Sequence, residues 1–239
     1  MTQPDRSSHT RQTAVILAAT ALLYFGGAYV LAPLLWIAYA KIHPALENIP
    51  NITYTGDDHP GDPINVALVG DESDMQAALK AAGWYQADAL GIRADVRIAE
   101  DTVLKRPYDT APVSTLLYLG RKQDLAFEQP VGDDPRQRHH VRFWKSDQLD
   151  ASGRPLYVGS ATYDRKVGLS HTTGEITHHI AADVDAERDH LLKCLADAGE
   201  LTAESDVPDF HPVREGRNGG GDLWKTDGRL RVGVLKAVK

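Results

Sequence analysis

From Thr13 to Ala40 the chain runs 28 residues without a charge. About 20 apolar residues suffice to cross a bilayer as a helix, so this stretch predicts a transmembrane anchor over residues 13–40, with residues 1–12 as a short tail. Pro33 predicts a kink, because proline cannot donate to the helical ladder. Trp36 and Tyr39 suit a membrane–water interface. Ala38-Tyr39-Ala40 has the small-x-small form of a signal-peptide cleavage site. The apolar run is about twice the usual 7–15 residues of such a peptide, which favours an uncleaved anchor. Arg6 and Arg11 precede the span and Lys41 alone follows closely. That bias places the N-terminus on the cytoplasmic side of the membrane and the bulk of the chain outside the cytoplasm.

Residues 41–63 are rich in proline and scattered acids and read as a linker. The remaining 64–239 are long enough for one domain with a sizeable core. Ile64–Val69 is an apolar strand stopped by Gly70. Asp71 or Ser73 caps a helix that shows Met75, Leu79 and Ala82 on one face and stops at Gly83. A second helix is expected over Ile92–Lys105. The pattern then changes to short β-rich runs: Ser114–Leu119, Leu125–Gln129, His140–Lys145, Leu156–Thr162 and Glu175–Ala181. Their close spacing favours antiparallel pairing over crossover helices. Asp183–Ala198 is a helix with Val184, Leu191, Leu192, Leu195 and Ala198 toward the core, closed by Gly199. Asp227-Gly228 predicts a two-residue hairpin turn. The fold class is α+β: a mostly antiparallel sheet with helices packed on one face, preceded by one transmembrane helix.

Residues 64–239 carry 23 Lys and Arg against 28 Asp and Glu, a net charge of −5. No nucleic-acid partner is expected, since that needs a basic face. The single Cys194 excludes an internal disulfide framework and a thiolate zinc site, and reads first as a small buried hydrophobe.

The candidate chemistry lies between Arg136 and His190, where His139, His140, His171, His178, His179 and His190 gather. On a strand over 175–180, Ile176, His178 and Ile180 share one face, and Glu175, Thr177 and His179 the other. His178 is thereby a packing residue and His179 the functional candidate. The same alternation groups His139 with Val141 and Phe143, and His140 with Arg142 and Trp144. His140, His171 and His179, with Asp185 orienting a histidine, are the candidate catalytic set. The three imidazoles are also the candidate ligands of a divalent metal such as zinc. Two further readings stay open: histidines hydrogen-bonded as structural polar residues, and a metal-free acid/base site. Arg138 and Arg142 are candidate anion-binding residues, because guanidinium forks match phosphate and carboxylate. Interleaved acids equally suit ion pairs across strands. Gly216–Asp222 fits neither a Walker loop nor a dinucleotide fingerprint and reads as a flexible loop. No GxSxG elbow is present.

Several long motifs carry a resemblance. They are Pro63–Gly70, Ala82-Gly-Trp84, Arg106-Pro-Tyr108, Ala111–Ser114, Gly120–Pro130, Arg138–Trp144 and Gly168–Gly174 followed by Ile176–Ile180. Over roughly residues 63–199 the chain resembles the LssY C-terminal domain family. The resemblance implies a bacterial protein, and with the single span an inner-membrane one, from a family often joined to DedA-type or lipid-phosphatase membrane modules, and it implies no established reaction. Here one anchor replaces those modules, so lipid-phosphatase activity does not carry over. Such fusions point to a cytoplasmic domain, opposite to the charge bias. Two functions follow as expectations. The first is a membrane-anchored envelope domain that acts on or binds an anionic lipid or phosphorylated component, as a metal-dependent hydrolase. The second is a non-catalytic accessory module docking on a membrane-protein partner in envelope transport.

Overall fold

The computed structural model describes residues 6–35, 50–87, 116–132, 137–169, 171 and 176–238. They belong to two compact units, residues 1–45 and 46–239. The helix expected over 92–105 lies outside the described residues.

In the first unit, α1 (Arg6–Gly26) passes into a π turn over Gly27–Leu31 and continues to residue 35. The Ala32 N–H reaches back five residues to the Gly27 carbonyl. This wide turn lies just ahead of Pro33, whose ring crowds the preceding turn and cannot donate, so the irregularity expected there takes this form. Val15–Leu35 is long and apolar enough to cross a membrane, with mean hydropathy 2.0 and none of it buried; a signal sequence meets the same description.

The second unit is built on an eight-stranded sheet. Its strands are β3 (Val66–Val69), β4 (Tyr85–Gln86), β7 (Leu125–Pro130), β8 (Arg138–Leu149), β9 (Pro155–Leu169), β10 (Ile176–Ile180), β11 (Leu201–Val207) and β14 (Leu230–Leu235). They run in the order β11-β14-β3-β9-β8-β7-β4, with β10 also paired to β9. Only β14–β3 is parallel; the other pairs are antiparallel, as short connections dictate. A small sheet joins β1 (Ile52–Tyr54), β2 (Pro60–Pro63), β5 (Leu117–Tyr118) and β6 (Arg121–Lys122), and β12 (Glu215–Arg217) pairs β13 (Leu223–Lys225).

Strand alternation gives the main sheet two covered faces. On one, Val66, Leu68, Val141, Phe143, Tyr157 and Ala161 pack with Met75 and Leu79 of α2 (Glu72–Ala81) and with Leu191, Leu192 and Leu195 of α3 (Val184–Asp197). On the other, Ala67, Val69, Trp144, Leu156 and Val158 meet Leu116 and Tyr118 beside the small sheet. The capping signals are used as written: Asp71 and Asp74 form a reciprocal capping box on α2, and the Asp183 carboxylate accepts the Ala186 N–H at the start of α3.

Two expectations change. Part of the stretch assigned to a linker forms β1 and β2, because Thr53 and Asp62 are buried and Thr53 Oγ1 donates to the Asp62 carbonyl at 2.8 Å. Asp227-Gly228 is a turn, with Gly228 at φ 86°, but it joins β13 to β14, which lie in different sheets. The Asp227 carboxylate accepts from Arg188 and Arg229 and so directs the chain across to the other sheet.

Candidate metal centre

Pairing of β7, β8 and β9 sets Glu128 opposite His140, His140 opposite Thr162, Arg138 opposite Asp164 and Arg142 opposite Ser160. Directly opposed residues share a face, so this strip is polar and buried throughout. Arg138 binds Glu128 through Nη1 and the Asp164 carboxylate through Nε at 3.0 Å. His140 Nδ1 stands 3.1 Å from Asp164 Oδ2, close enough for a charge contact but too poorly aligned for a good hydrogen bond. On its other side, His140 Nε2 lies 2.8 Å from both Arg142 Nη1 and Thr162 Oγ1. Arginine only donates, so Nε2 accepts, and the single proton of a neutral His140 is on Nδ1, facing Asp164.

Burial alone would raise the Asp164 carboxyl pKa, but His140, His178 and Arg138 outweigh it and hold the group well below the usual carboxylate range. His178 is pushed down to about 4, first by burial and then by Arg138, His140 and Arg142, against the pull of Asp164. Burial and Arg138 lower Arg142, while Asp62 and Asp164 oppose that shift.

The second cluster is built at the far end of β9. His179 on β10 pairs with Lys166, and Thr177 with Gly168. His179 is buried, and its Nδ1–H donates to Asp222 Oδ1 at 2.8 Å. The other Asp222 oxygen accepts the Ile180 N–H at 3.2 Å. Asp222 ends the glycine-rich run, which is an ordered turn rather than the expected flexible loop. The Asn218 N–H donates to the Asp222 carbonyl, the Gly221 N–H to the Asn218 carbonyl, and the Asp222 N–H to Asn218 Oδ1. Gly221 sits at φ 85°, and a Cβ there would lie 2.7 Å from His171 Cβ. Glycine is thus required twice, for the backbone conformation and to let His171 lie against the turn. The His171 N–H donates to Gly220 O at 3.0 Å, and the His171 and His179 rings stand 5.2 Å apart.

His171, His179 and Asp222 each present a ligand atom, all within 4.8 Å of one another. Beside His179 Nε2 lies Gly168, where a Cβ would come within 2.8 Å of that nitrogen and 3.0 Å of Cδ2. Glycine at this strand position keeps the space beside Nε2 open, while Asp222 fixes the proton on Nδ1. A carboxylate on one imidazole nitrogen and open space at the other is the arrangement of a metal-ligating histidine with its outer partner.

The candidate residues therefore divide. His171 and His179 come together. His140 joins Arg138 and Arg142 in the buried ion-pair strip, where its Nε2 is occupied. Among the described residues, Asp185 hydrogen-bonds no histidine. It accepts from Thr226 Oγ1, the Asp227 N–H and Arg188 at the α3–turn junction. Asp222 was not among the expected site residues. Its signal was the acid closing Gly216–Asp222, where glycines allow close approach. Asp62 and Asn218 were also missed. Asn218 Nδ2 donates to Asp62 Oδ1 at 2.9 Å, and Asp62 Oδ2 lies 3.5 Å from Arg142 Nη1, so a chain of polar contacts links the two clusters.

Residues 46–230 match the family model described as LssY C-terminus. The chain belongs to this family. The LssY C-terminus match takes in β1 and β2 with Asp62 and the β12–β13 turn with Asp222, which flank the stretch carrying the sequence motifs. No curated protein and no solved structure matches the chain.

Proposed function

We propose that this is a membrane-anchored envelope domain that holds a divalent metal of the zinc class at His171 and His179, with Asp222 as the outer partner of His179, and acts hydrolytically on an anionic, phosphorylated component. The convergence of two imidazoles and a carboxylate within 4.8 Å carries this reading. Two protein ligands leave coordination positions for water, which bound zinc brings toward a pKa near 7. Two cations support an anionic substrate. Arg217 Nη1 donates to Gly221 O at 2.8 Å, on the turn beneath His171, and Lys166 is the register partner of His179. The apolar Val15–Leu35 helix supports the anchor.

Elemental analysis of freshly purified full-length protein, paired with zinc titration of wild type and His179→Ala, tests the site. The expected result is stoichiometric metal in wild type, lost in the variant with the fold retained. Absence of metal, with a membrane protein co-purifying in its place, replaces this reading with the docking module. Carbonate washing tests the anchor: the protein stays in membranes with its N-terminus intact, and a released product beginning at Lys41 refutes it.

A further inference from the structure

We infer that the β5–β6 hairpin of the domain is a membrane-docking element that seats Leu119 among the headgroups of anionic phospholipids. This rests on the membrane reading of the N-terminal helix but not on the metal centre.

Three features of the hairpin are otherwise unexplained. Its two-residue turn places Leu119 at φ 52° and Gly120 at φ 73°. Glycine adopts that conformation readily, whereas a leucine there is strained, and such strain is retained where the surroundings or a function require it. Leu119 is also the most exposed large apolar side chain among the described residues of the domain, at 69%. Strain and exposure at one residue give no benefit in water. Third, Arg121 and Lys122 stand directly after the turn, and the neighbouring cleft adds Lys145 against Asp124 and Asp147, a local balance of +1 within a domain whose residues 64–239 carry −5. Asp124 is engaged within the hairpin, facing Arg121 Nη1 at 3.4 Å and accepting the Lys145 N–H at 2.7 Å.

The surroundings fit a lipid surface. A cleft of about 580 Å³ opens beside the tip, lined by Pro50, Leu119, Arg121, Lys145, Asp147 and Gln148. Exposed Leu149 follows directly. Apolar side chains beside cationic ones match a bilayer interface, where burial of apolar area and attraction to anionic lipid add together. Tyr118 OH donates to the Pro50 carbonyl at 2.8 Å, which ties the base of the hairpin to residue 50 of the domain.

The test uses the full chain in vesicles, with Cys194→Ser as background and a nitroxide on Leu119→Cys. Relative accessibility to oxygen and to a water-soluble nickel chelate reports immersion, and Ala203→Cys on β11 serves as the aqueous reference. In vesicles containing phosphatidylglycerol, the label at 119 should be several-fold more accessible to oxygen than to nickel, with the ratio reversed at 203. Lys122→Glu combined with Lys145→Glu should abolish that immersion, as should pure phosphatidylcholine vesicles. A label at 119 as aqueous as the one at 203 overturns the proposal. So does immersion that is equal in both lipids and survives the charge reversal. If the Leu119 variant fails to fold, Leu149→Cys gives the same reading from the adjacent exposed leucine.

Discussion

Gly168→Ala isolates the metal reading from the fold. Position 168 is a strand residue paired with Thr177, and an alanine Cβ would stand 2.8 Å from His179 Nε2 and 3.0 Å from Cδ2. The opposing terms can be sized. Alanine in a strand gains roughly 0.5–1 kcal/mol over glycine by restricting the unfolded chain. Pushing the imidazole about 30° off its rotamer costs about 0.5–1.5 kcal/mol. Stability without metal therefore changes by no more than about 1 kcal/mol. Metal binding differs, because a methyl group 2.8 Å from Nε2 forces the ring to shift from the position that brings it beside His171. At zinc 100-fold above its Kd, binding stabilises the wild type by about 2.7 kcal/mol, which for a domain of this size raises Tm by roughly 5–10 °C. Differential scanning calorimetry with and without zinc gives the answer. The variant should match the wild-type Tm without zinc and show almost no zinc-dependent rise. A Gly168→Ala protein that keeps the full wild-type rise refutes the assignment of Nε2 as ligand.

Arg188→Met should cost about 3–5 kcal/mol in urea unfolding, because its 1% exposed guanidinium is bound by Asp185, Asp189 and Asp227, and removal leaves those acids without it. Leu191→Ala should cost about 2–5 kcal/mol at a fully buried position of the helix-covered core; a change below about 0.5 kcal/mol would mean that α3 turns another face inward. Asp164 is held below its ordinary 3.8 in the folded state, so the unfolded chain takes up this proton first as the medium is acidified. Its stabilisation is complete above about pH 5 and declines as pH falls below about 4. Asp164→Asn should destabilise the protein at pH 7 and flatten that acid decline, and an unchanged acid slope in denaturant titrations refutes the assignment.

Elements set by short-range rules were legible in the sequence. Met75 and Leu79 at helical spacing, the Asp71 cap and the Gly83 stop define α2 within a residue. The alternation that grouped His139 with Val141 and Phe143, and His140 with Arg142 and Trp144, matches the two packed faces of β8. What stayed hidden depends on long-range pairing. Asp62 and Asn218 are 156 residues apart, and His179 and Asp222 are 43 apart; no local period connects such positions. Asp227-Gly228 shows the limit from the other side. Its turn chemistry is the expected one, yet Arg188, 39 residues upstream, takes the carboxylate, and the flanking strands join different sheets.

The two histidine–aspartate pairs explain why His140, a sound candidate on pattern alone, does not join His171 and His179. Both directions of approach start alike, with Nδ1 facing a carboxylate: Asp164 for His140 and Asp222 for His179. The difference lies at Nε2. Around His140, strand pairing with Thr162 and the alternation that sets Arg142 two residues on bring two polar groups to 2.8 Å. A metal there would have to displace a buried guanidinium contact and place a second positive charge beside Arg142, which Coulomb repulsion at low effective dielectric opposes. Around His179, the facing strand supplies Gly168, which has no side chain to fill the space. In one stretch of sheet, then, the same side chain sits in a closed ion-pair strip at one position and in a candidate ligand site at another. The residue facing Nε2 decides between them. It follows that a small residue at Arg142 would not make His140 a ligand, because Thr162 would still face Nε2, whereas one methyl group at Gly168 would force the His179 ring to shift.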